Sequence, residues 1–550
     1  MNTDGQEWFT RAKLGMFYHC GLYTLLGGNE NAVRSTMSKA EYRKLTDSFT
    51  LEHFNADAWV DCALSMGADY VMPTSRHAEG FCLWDSKLTD YTSLNSPCKR
   101  DIIAELSEAC ARKNVRFCLY FNFETWMNEG DDIWNTRGLS YAEYMTGQLT
   151  ELLTNYGPVG VVWFDHGHPE LTPEVMVGIV NHIKRLQPDC LVNNRSIDRK
   201  SSVKYGYDYV SAERVIPVRH SDNHDIAIEV CDSMGVKSWG YHKEEAFWSV
   251  GELARRVSRC AANGYVYLLN VEPTPDGTIH EACVERARLL GDWVRQNRQE
   301  LNADRSSFQP VDPNLENEPT IGVATVAGTK LHLHLHEWPV ADEVLVRADG
   351  QPTAATLSGA LGTELSVAAD KRGLLVRGLP PGPPSGTSPW MLTVECATSP
   401  TLRAEATAGR TYTPAPGEPI FLSPRDAQLD GPPDLGGISQ HLNFFPDGSV
   451  SVGLLHKAGE TLTWRATVAE DAEYDVFGSF GTSPDQAAGE FVLSSGSSTL
   501  TGGTWPTAGY ASPVSKRLGR LRLAAGENRI VFKVTRANFS DVYGLSLARV

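Results

Sequence analysis

Two carboxylates hold positions from which they could do chemistry. Asp165 ends the run Val159-Gly160-Val161-Val162-Trp163-Phe164-Asp165, and Glu213 ends the phrase Tyr209-Val210-Ser211-Ala212-Glu213. Around them, in comparable positions, stand His19, His77, Arg195 and the aromatics Trp84, Tyr120, Trp163 and Trp239. There is no Cys-x-x-Cys pair, no phosphate-cradling glycine loop and no Gly-x-Ser-x-Gly elbow. Paired carboxylates among groups that bind hydroxyls suit glycoside hydrolysis: one attacks or activates water, the other protonates the departing oxygen. Taken alone, Asp165 reads equally well as a cap for the next turn, since Asp is common at strand ends.

The elements that would carry these residues argue for the chemical reading. The run before Asp165 is apolar throughout, without alternation, as in a parallel strand covered on both faces. Further strand-like runs occur at Lys13 to His19, Ala68 to Thr74, Val115 to Phe123, Cys190 to Asn194, Tyr207 to Ser211, Ala227 to Cys231 and Tyr265 to Val271. Helical patterns lie between them, among them Ala58 to Met66, Asp101 to Lys113, Tyr141 to Asn155, Pro173 to Leu186, Val250 to Ala262 and Glu281 to Arg298. Eight strands in that alternation predict a (β/α)8-type barrel over residues 1–304, with one helix missing near the sixth and seventh strands. His19, His77, Asn122, Asp165, Arg195, Glu213 and Glu229 all fall toward the same end of their strands, which is how a barrel builds a polar pocket.

After residue 304 helical periodicity stops. Short alternating strands predict a β-sandwich over 305–396, a Pro- and Gly-rich linker over 397–436, and a second β-sandwich over 437–550. His332, His334 and His336 alternate along one strand and share a face. A solvated face is the favoured reading over a metal site, because no fourth ligand is suggested. Trp464, Trp505, Tyr510 and Phe539 are aromatics of the last segment, read mainly as core and secondarily as a stacking surface for sugar.

Composition narrows the partners. A net charge of −17 over 550 residues argues against nucleic acid and anionic membranes. No apolar run approaches a membrane span, and the first residues carry no signal-peptide pattern. The 11 cysteines, all but Cys396 before residue 300, sit in apolar surroundings and read as reduced thiols, which predicts a cytoplasmic protein. No metal or other cofactor is expected, and a homo-oligomer is compatible with the sequence.

Several motifs together resemble family-29 glycoside hydrolases, the α-L-fucosidases. They are Gly15-Met16-Phe17-Tyr18-His19-Cys20-Gly21-Leu22-Tyr23, Arg76-His77-Ala78-Glu79-Gly80-Phe81-Cys82-Leu83-Trp84, and Asn155-Tyr156-Gly157-Pro158 followed by Trp163-Phe164-Asp165. Asn193-Asn194-Arg195, Ser238-Trp239-Gly240-Tyr241 and Leu268-Leu269-Asn270-Val271 with Asp276-Gly277 follow in order. The resemblance covers about residues 8 to 300 and the first sandwich weakly. It implies a retaining exo-glycosidase that releases terminal α-L-fucose from oligosaccharides or glycosides. Asp165 would be the nucleophile and Glu213 the acid/base, with Glu229 the runner-up and Glu79 third. Arg195 would keep Asp165 ionised, while His19, His77, Trp84, Tyr120, Trp163 and Trp239 would line the sugar pocket.

Three departures bear on the sugar. Ala78 replaces the second histidine of the family's pair, Cys20 replaces a large aromatic, and His166-Gly167-His168 offers imidazoles from another direction. A site built around a hydroxyl discriminates strongly by it. An exo-glycosidase with another glycone, such as an α-L-galactoside, is therefore the alternative within enzymes. A catalytically silent carbohydrate-binding protein is the alternative outside them.

Overall fold

The computed structural model describes residues 4–28, 37–125, 137–195, 206–214, 216–217, 227–305, 310–311, 313–314, 321–360, 363–402, 411–415, 417–430, 441–444, 450–453, 458–482, 489–536 and 540–550. The chain forms two units. One comprises residues 1–214 and 223–303, the other residues 215–222 and 304–550.

The first unit is a parallel barrel. Its strands are β1 (Leu14–Tyr18), β2 (Tyr70–Arg76), β3 (Leu119–Asn122), β4 (Val161–Asp165), β5 (Leu191–Val192), β6 (Tyr209–Glu213), β7 (Ala227–Ser233) and β8 (Val266–Val271). Neighbours pair in sequence order, and β8 returns to β1. A single parallel bridge from Asn193 to Tyr209 joins β5 to β6 and closes the ring. Phe17, Met72, Tyr120, Trp163, Tyr209, Cys231 and Leu268 fill the interior from different strands. This explains why the strands read as unbroken apolar runs: one face packs inside the barrel and the other beneath helices.

The weak point of the ring is β5, only two residues long, and asparagine amides do there what the ladder does elsewhere. Asn193 Oδ1 accepts from the Phe164 N–H at 2.8 Å, and its Nδ2 donates to the Phe164 carbonyl at 3.1 Å. Asn194 Oδ1 accepts from the Ser211 N–H at 3.0 Å. Thus Asn193-Asn194 ties β4 and β6 together and delivers Arg195 at the end of β4.

Among the described residues, the longer helices around the barrel include α1 (Ala56–Met66), α2 (Ile102–Arg112), α3 (Tyr141–Asn155), α4 (Pro173–Leu186), α5 (Val250–Ala262) and α6 (Glu281–Gln296). Their starts are written in the sequence. Asn55, Asp101, Ser140, Thr172 and Ser249 each accept a backbone N–H of the first turn, and Ser140 with Glu143 forms a reciprocal box. Between β6 and β7 the described residues include no helix, as the irregular spacing predicts.

The second unit contains two sandwiches. In the first, a five-stranded and a four-stranded sheet share a core of Leu331, Leu333, Leu335, Val344, Val346, Leu374 and Val376. The histidines of Lys330–Leu335 and the next residue lie on the other face, yet all three are buried, which corrects the expectation of a solvated face. His332 pairs with Thr393 at 3.0 Å and His334 with Thr325 at 3.1 Å. Burial pushes the His334 pKa down to about 3, so the ring is neutral.

In the last sandwich Trp464, Val476, Phe480, Leu493, Phe532 and Leu547 form the centre. The stretch expected to be a linker contributes to it. Thr411–Tyr412, Ile420–Leu422 and Gln428–Asp430 pair with its strands, and Tyr412, Ile420, Leu422 and Leu429 are buried in its core. These segments are too short to show a period among the prolines and glycines. Ile216–Pro217 also pairs within this unit, antiparallel to His441–Leu442. Trp464 is fully buried and donates to the Ser423 carbonyl, and Trp505 packs edge-on against Phe480. Trp464 is a core residue and Trp505 a half-buried one packed against that core, whereas the side chains of Tyr510 and Phe539 lie outside the described residues.

Candidate active site

A cavity opens at the C-terminal ends of the barrel strands. Phe17, His19, His77, Tyr120, Trp163, Asp165, His166, Arg195, Glu213, Cys231 and Trp239 line it, around about 400 Å³ of empty space that includes its mouth. Eight of the nine residues expected at the site meet here. The ninth, Trp84, does not. It is buried in the loop beyond β2, where its indole N–H donates to Glu151 at 3.0 Å. The motif that contains Trp84 was legible, but its side chain turns toward α3 and buttresses the loop that carries His77.

Asp165 is 9% exposed at the tip of β4. Arg195 Nε and Nη2 both lie 3.2 Å from Oδ1, and the Tyr120 hydroxyl donates to Oδ2 at 2.8 Å. The same Arg195 Nη2 donates to Glu213 Oε2 at 2.7 Å. Because one nitrogen touches both, the two carboxylate oxygens are at most about 5.9 Å apart, within reach of the roughly 5–5.5 Å that retaining glycosidases use. Burial works to raise the Asp165 pKa, but the Arg195 guanidinium and the Tyr120 hydrogen bond oppose it, and the carboxyl is held well below the ordinary range. Burial likewise works against the charge on Arg195, and its two carboxylate neighbours restore it.

Rings build the walls. Tyr120 stacks on His77 at 5.6 Å and on Trp163 at 5.5 Å, while His19 tilts against Trp239 at 5.1 Å. Phe17 meets His19, Tyr120, Trp163 and Trp239 edge-on. Asn270 orients His19. Its Nδ2 donates to Ser233 Oγ and the Trp239 carbonyl, so its Oδ1, 2.8 Å away, accepts from His19 Nδ1.

Glu229 lies lower in the barrel and does not reach the cavity. It is 0% exposed. Oε1 accepts from Trp163 Nε1 at 2.6 Å and Ser211 Oγ at 3.2 Å, and Oε2 accepts from the Tyr70 hydroxyl at 2.8 Å. Burial lifts its pKa to about 7 against these three donors. Glu79, also buried, faces His77 at 3.6 Å and does not line the cavity. Ala78 and Cys20 are buried and absent from its wall too.

Asn122 stands among the strand-end residues of the sequence and Asn270 within a motif, but their work as buttresses lies in which atom of each amide points where. A signal did exist for Phe17 and Cys231, which sit one step from expected residues on inward-facing positions. A wider groove at the opposite end of the barrel is lined by Trp8, Arg116, Asp69 and Arg298. Its charges are largely paired with one another, as Arg298 with Asp69 at 2.8 Å and Arg11 with Glu7 at 2.5 Å, and chemistry in this architecture sits at the other face.

Residues 2–299 match the model of the α-L-fucosidase family. The chain belongs to that family. Among curated α-L-fucosidases, the plasma enzyme of Homo sapiens is 28% identical over 342 residues, 56% of this chain and 72% of that one. Among solved structures, α-L-fucosidase isoenzyme 1 of Paenibacillus thiaminolyticus superposes with a TM-score of 0.62 at 25% identity, covering 72% of this chain and 99% of that one. The α-L-fucosidase from Vibrio sp. strain EJY3 covers 100% of this chain and 98% of its own, with a TM-score of 0.70 at 18% identity. That likeness extends the shared fold across both sandwiches. An α-L-fucosidase family member is a glycoside hydrolase, and the barrel that carries the match is the one that carries the cavity.

Proposed function

We propose that this protein hydrolyses terminal α-L-fucosides with retention at the anomeric carbon, through Asp165 as nucleophile and Glu213 as acid/base. The observation that carries the proposal is the guanidinium of Arg195, which holds both carboxyl groups at the mouth of one small aromatic-walled cavity. An ionised Asp165 attacks the anomeric carbon while Glu213, a third exposed, protonates the glycosidic oxygen. The leaving alcohol departs and a glycosyl ester forms on Asp165. Glu213, now a carboxylate, takes a proton from water, and the hydroxyl adds to the same carbon, freeing Asp165 and reprotonating Glu213.

Tyr120 and Arg195 bind different oxygens of Asp165 and so fix the plane of the attacking carboxylate. His19, His77, Trp163 and Trp239 line the sugar space, and its limited volume suits one terminal residue, hence exo action on fucosylated oligosaccharides or glycosides. Among the described residues no helix is long and apolar enough to cross a membrane. All eleven cysteines are buried free thiols, which supports a reducing, cytoplasmic location.

The test is turnover of an aryl α-L-fucoside. Wild-type hydrolysis, lost in Asp165→Ala and restored by azide as the β-configured fucosyl azide, is the expected result. A folded wild type that ignores the α-L-fucoside but cleaves the α-L-galactoside would replace the glycone. Inactivity toward every aryl glycoside would sink the enzymatic reading.

A further inference from the structure

His166 follows Asp165 and takes a conformation that side chains avoid. Its φ is +50°, in the left-handed region, where any residue with a Cβ is disfavoured and glycine is the ordinary choice. The neighbouring Gly167 shows that glycine is at hand in this turn, yet the strained place is held by a histidine. Its ring lines the cavity and is 43% exposed. By contrast, His168 of the same turn stacks on Tyr141 at 3.9 Å and is absent from the cavity wall.

The protonation of His166 is set by Asn122. The Asn122 side-chain oxygen accepts the Glu124 N–H at 2.8 Å, which fixes the amide's orientation. Its Nδ2 therefore donates in two directions, to the Tyr120 oxygen at 2.8 Å and to His166 Nδ1 at 2.9 Å. Tyr120 passes its own proton to a hydrogen bond with Asp165. An Nδ1 that accepts leaves the proton of the neutral ring on Nε2. Burial also disfavours the charged ring, opposed by Asp165 and reinforced by His77. The carboxylates of Glu124 and Asp165 lie farther from Nδ1, at 3.6 and 3.7 Å.

We propose that His166 is a specificity-determining residue of the glycone site, a neutral imidazole that donates from Nε2 to a hydroxyl of the bound sugar. The inference rests on the fucosidase reading for the identity of the sugar, but not for the role of the ring. It places the hydroxyl recognition that Ala78 cannot supply on the turn after the nucleophile. One amide, Asn122, thereby sets both the nucleophile's tyrosine and the specificity histidine.

The test compares wild type with His166→Gly and His166→Asn. Glycine and asparagine both tolerate the left-handed backbone, so the melting temperature should hold or rise in each. The substrates are aryl α-L-fucosides with full hydroxylation or lacking one hydroxyl at position 2, 3 or 4, with the α-L-galactoside as the partner that adds a hydroxyl at position 6. The expected result is that wild-type discrimination by one of these hydroxyls falls about tenfold or more in His166→Gly, as for loss of one hydrogen bond, while the other ratios stay put. His166→Asn, which keeps a donor on a shorter arm, should fall between. Unchanged ratios at every position in His166→Gly would overturn the proposal, as would a uniform fall with a lowered melting temperature, which marks a structural role. Should wild type turn over none of these, the fucosidase reading fails separately. The same comparison is then read from calorimetric binding of a fucose-configured iminocyclitol and its monodeoxy analogues, with the same two outcomes.

Discussion

Asp165 and Glu229 are carboxyl groups on the strands of one barrel, and their surroundings drive them in opposite directions. Asp165 ends its strand at the cavity and meets Arg195, which holds it ionised despite burial. Glu229 lies deeper, fully buried, where it meets a tyrosine, a tryptophan and a serine but no cation within ion-pairing distance among the described residues, and burial lifts its pKa to about 7. Neutral donors soften the desolvation of a carboxylate, whereas a bound guanidinium reverses it. The first arrangement suits the nucleophile we propose. The second makes a support, because Glu229 grips the indole of Trp163 that lies beneath Arg195, 5.0 Å from its guanidinium carbon.

The comparison breaks most sharply at Asp165 itself. Asp165→Ala should lower kcat/KM on an aryl α-L-fucoside by roughly 10⁴-fold or more, the scale for loss of a group that forms the covalent intermediate. Glu213→Ala should cost about 10²–10⁴-fold, least with activated leaving groups, which need little protonation. If Glu213→Ala were indistinguishable from wild type on a poor leaving group, the acid/base would have to be sought elsewhere on the cavity wall.

Arg195 is the term that separates the two carboxyls, so its removal should make Asp165 resemble Glu229. Arg195→Ala leaves the burial and takes away the opposing charge, so the Asp165 pKa climbs. The acidic limb of the kcat/KM–pH profile then moves to higher pH, with a loss of about 10²–10³-fold at the optimum, comparable to losing one preorganised electrostatic contact. An acidic limb that stayed in place would show that the Tyr120 hydrogen bond suffices to hold the charge.

How much of this was readable beforehand follows from the kind of signal each feature leaves. The barrel announced itself because eight buried strands leave unbroken apolar runs, and the site because its charged residues end those runs. Trp84 was misplaced since a motif gives an order of residues and not the side of the loop to which an indole turns. The histidines of the first sandwich were misread because alternation assigns them to a face but not what covers it. The strands of residues 411–430 were missed because two- and three-residue pairings leave no period. Asn193 and Asn194 were visible as a motif, yet their task of replacing ladder bonds beside a two-residue strand needs coordinates.

Glu229 makes a prediction of opposite sign for stability. Its folded pKa, about 7, lies above the roughly 4.3 of an unfolded glutamate. The native state then holds a proton that the unfolded state has released. The stability this confers is complete below the unfolded value and is lost as pH rises through about 7. Glu229→Gln cannot titrate. Thermal unfolding followed from pH 5 to 8 should show the wild type losing stability relative to the variant. A wild type that instead gained over that range would mean Glu229 is ionised throughout, and the contrast with Asp165 would collapse.

The smallest effect separates a buttress of the site from a buttress of the fold. Trp163 and Trp84 each donate their indole N–H to a glutamate, Glu229 at 2.6 Å and Glu151 at 3.0 Å. Only Trp163 lines the cavity. Glu151→Gln keeps the shape of the acceptor and weakens the bond, so it should cost about 1 kcal/mol of stability and leave kcat/KM within about twofold. Glu229→Gln should lower kcat/KM by about tenfold with KM the larger part of the change, since a looser Trp163 shifts the sugar's wall before it shifts the reacting groups. Equal kinetic effects from the two substitutions would mean that Trp84 reaches the sugar through the His77 loop after all. Equal absence of effect would mean that the Trp163 ring is held well enough by Tyr120 and Arg195 alone.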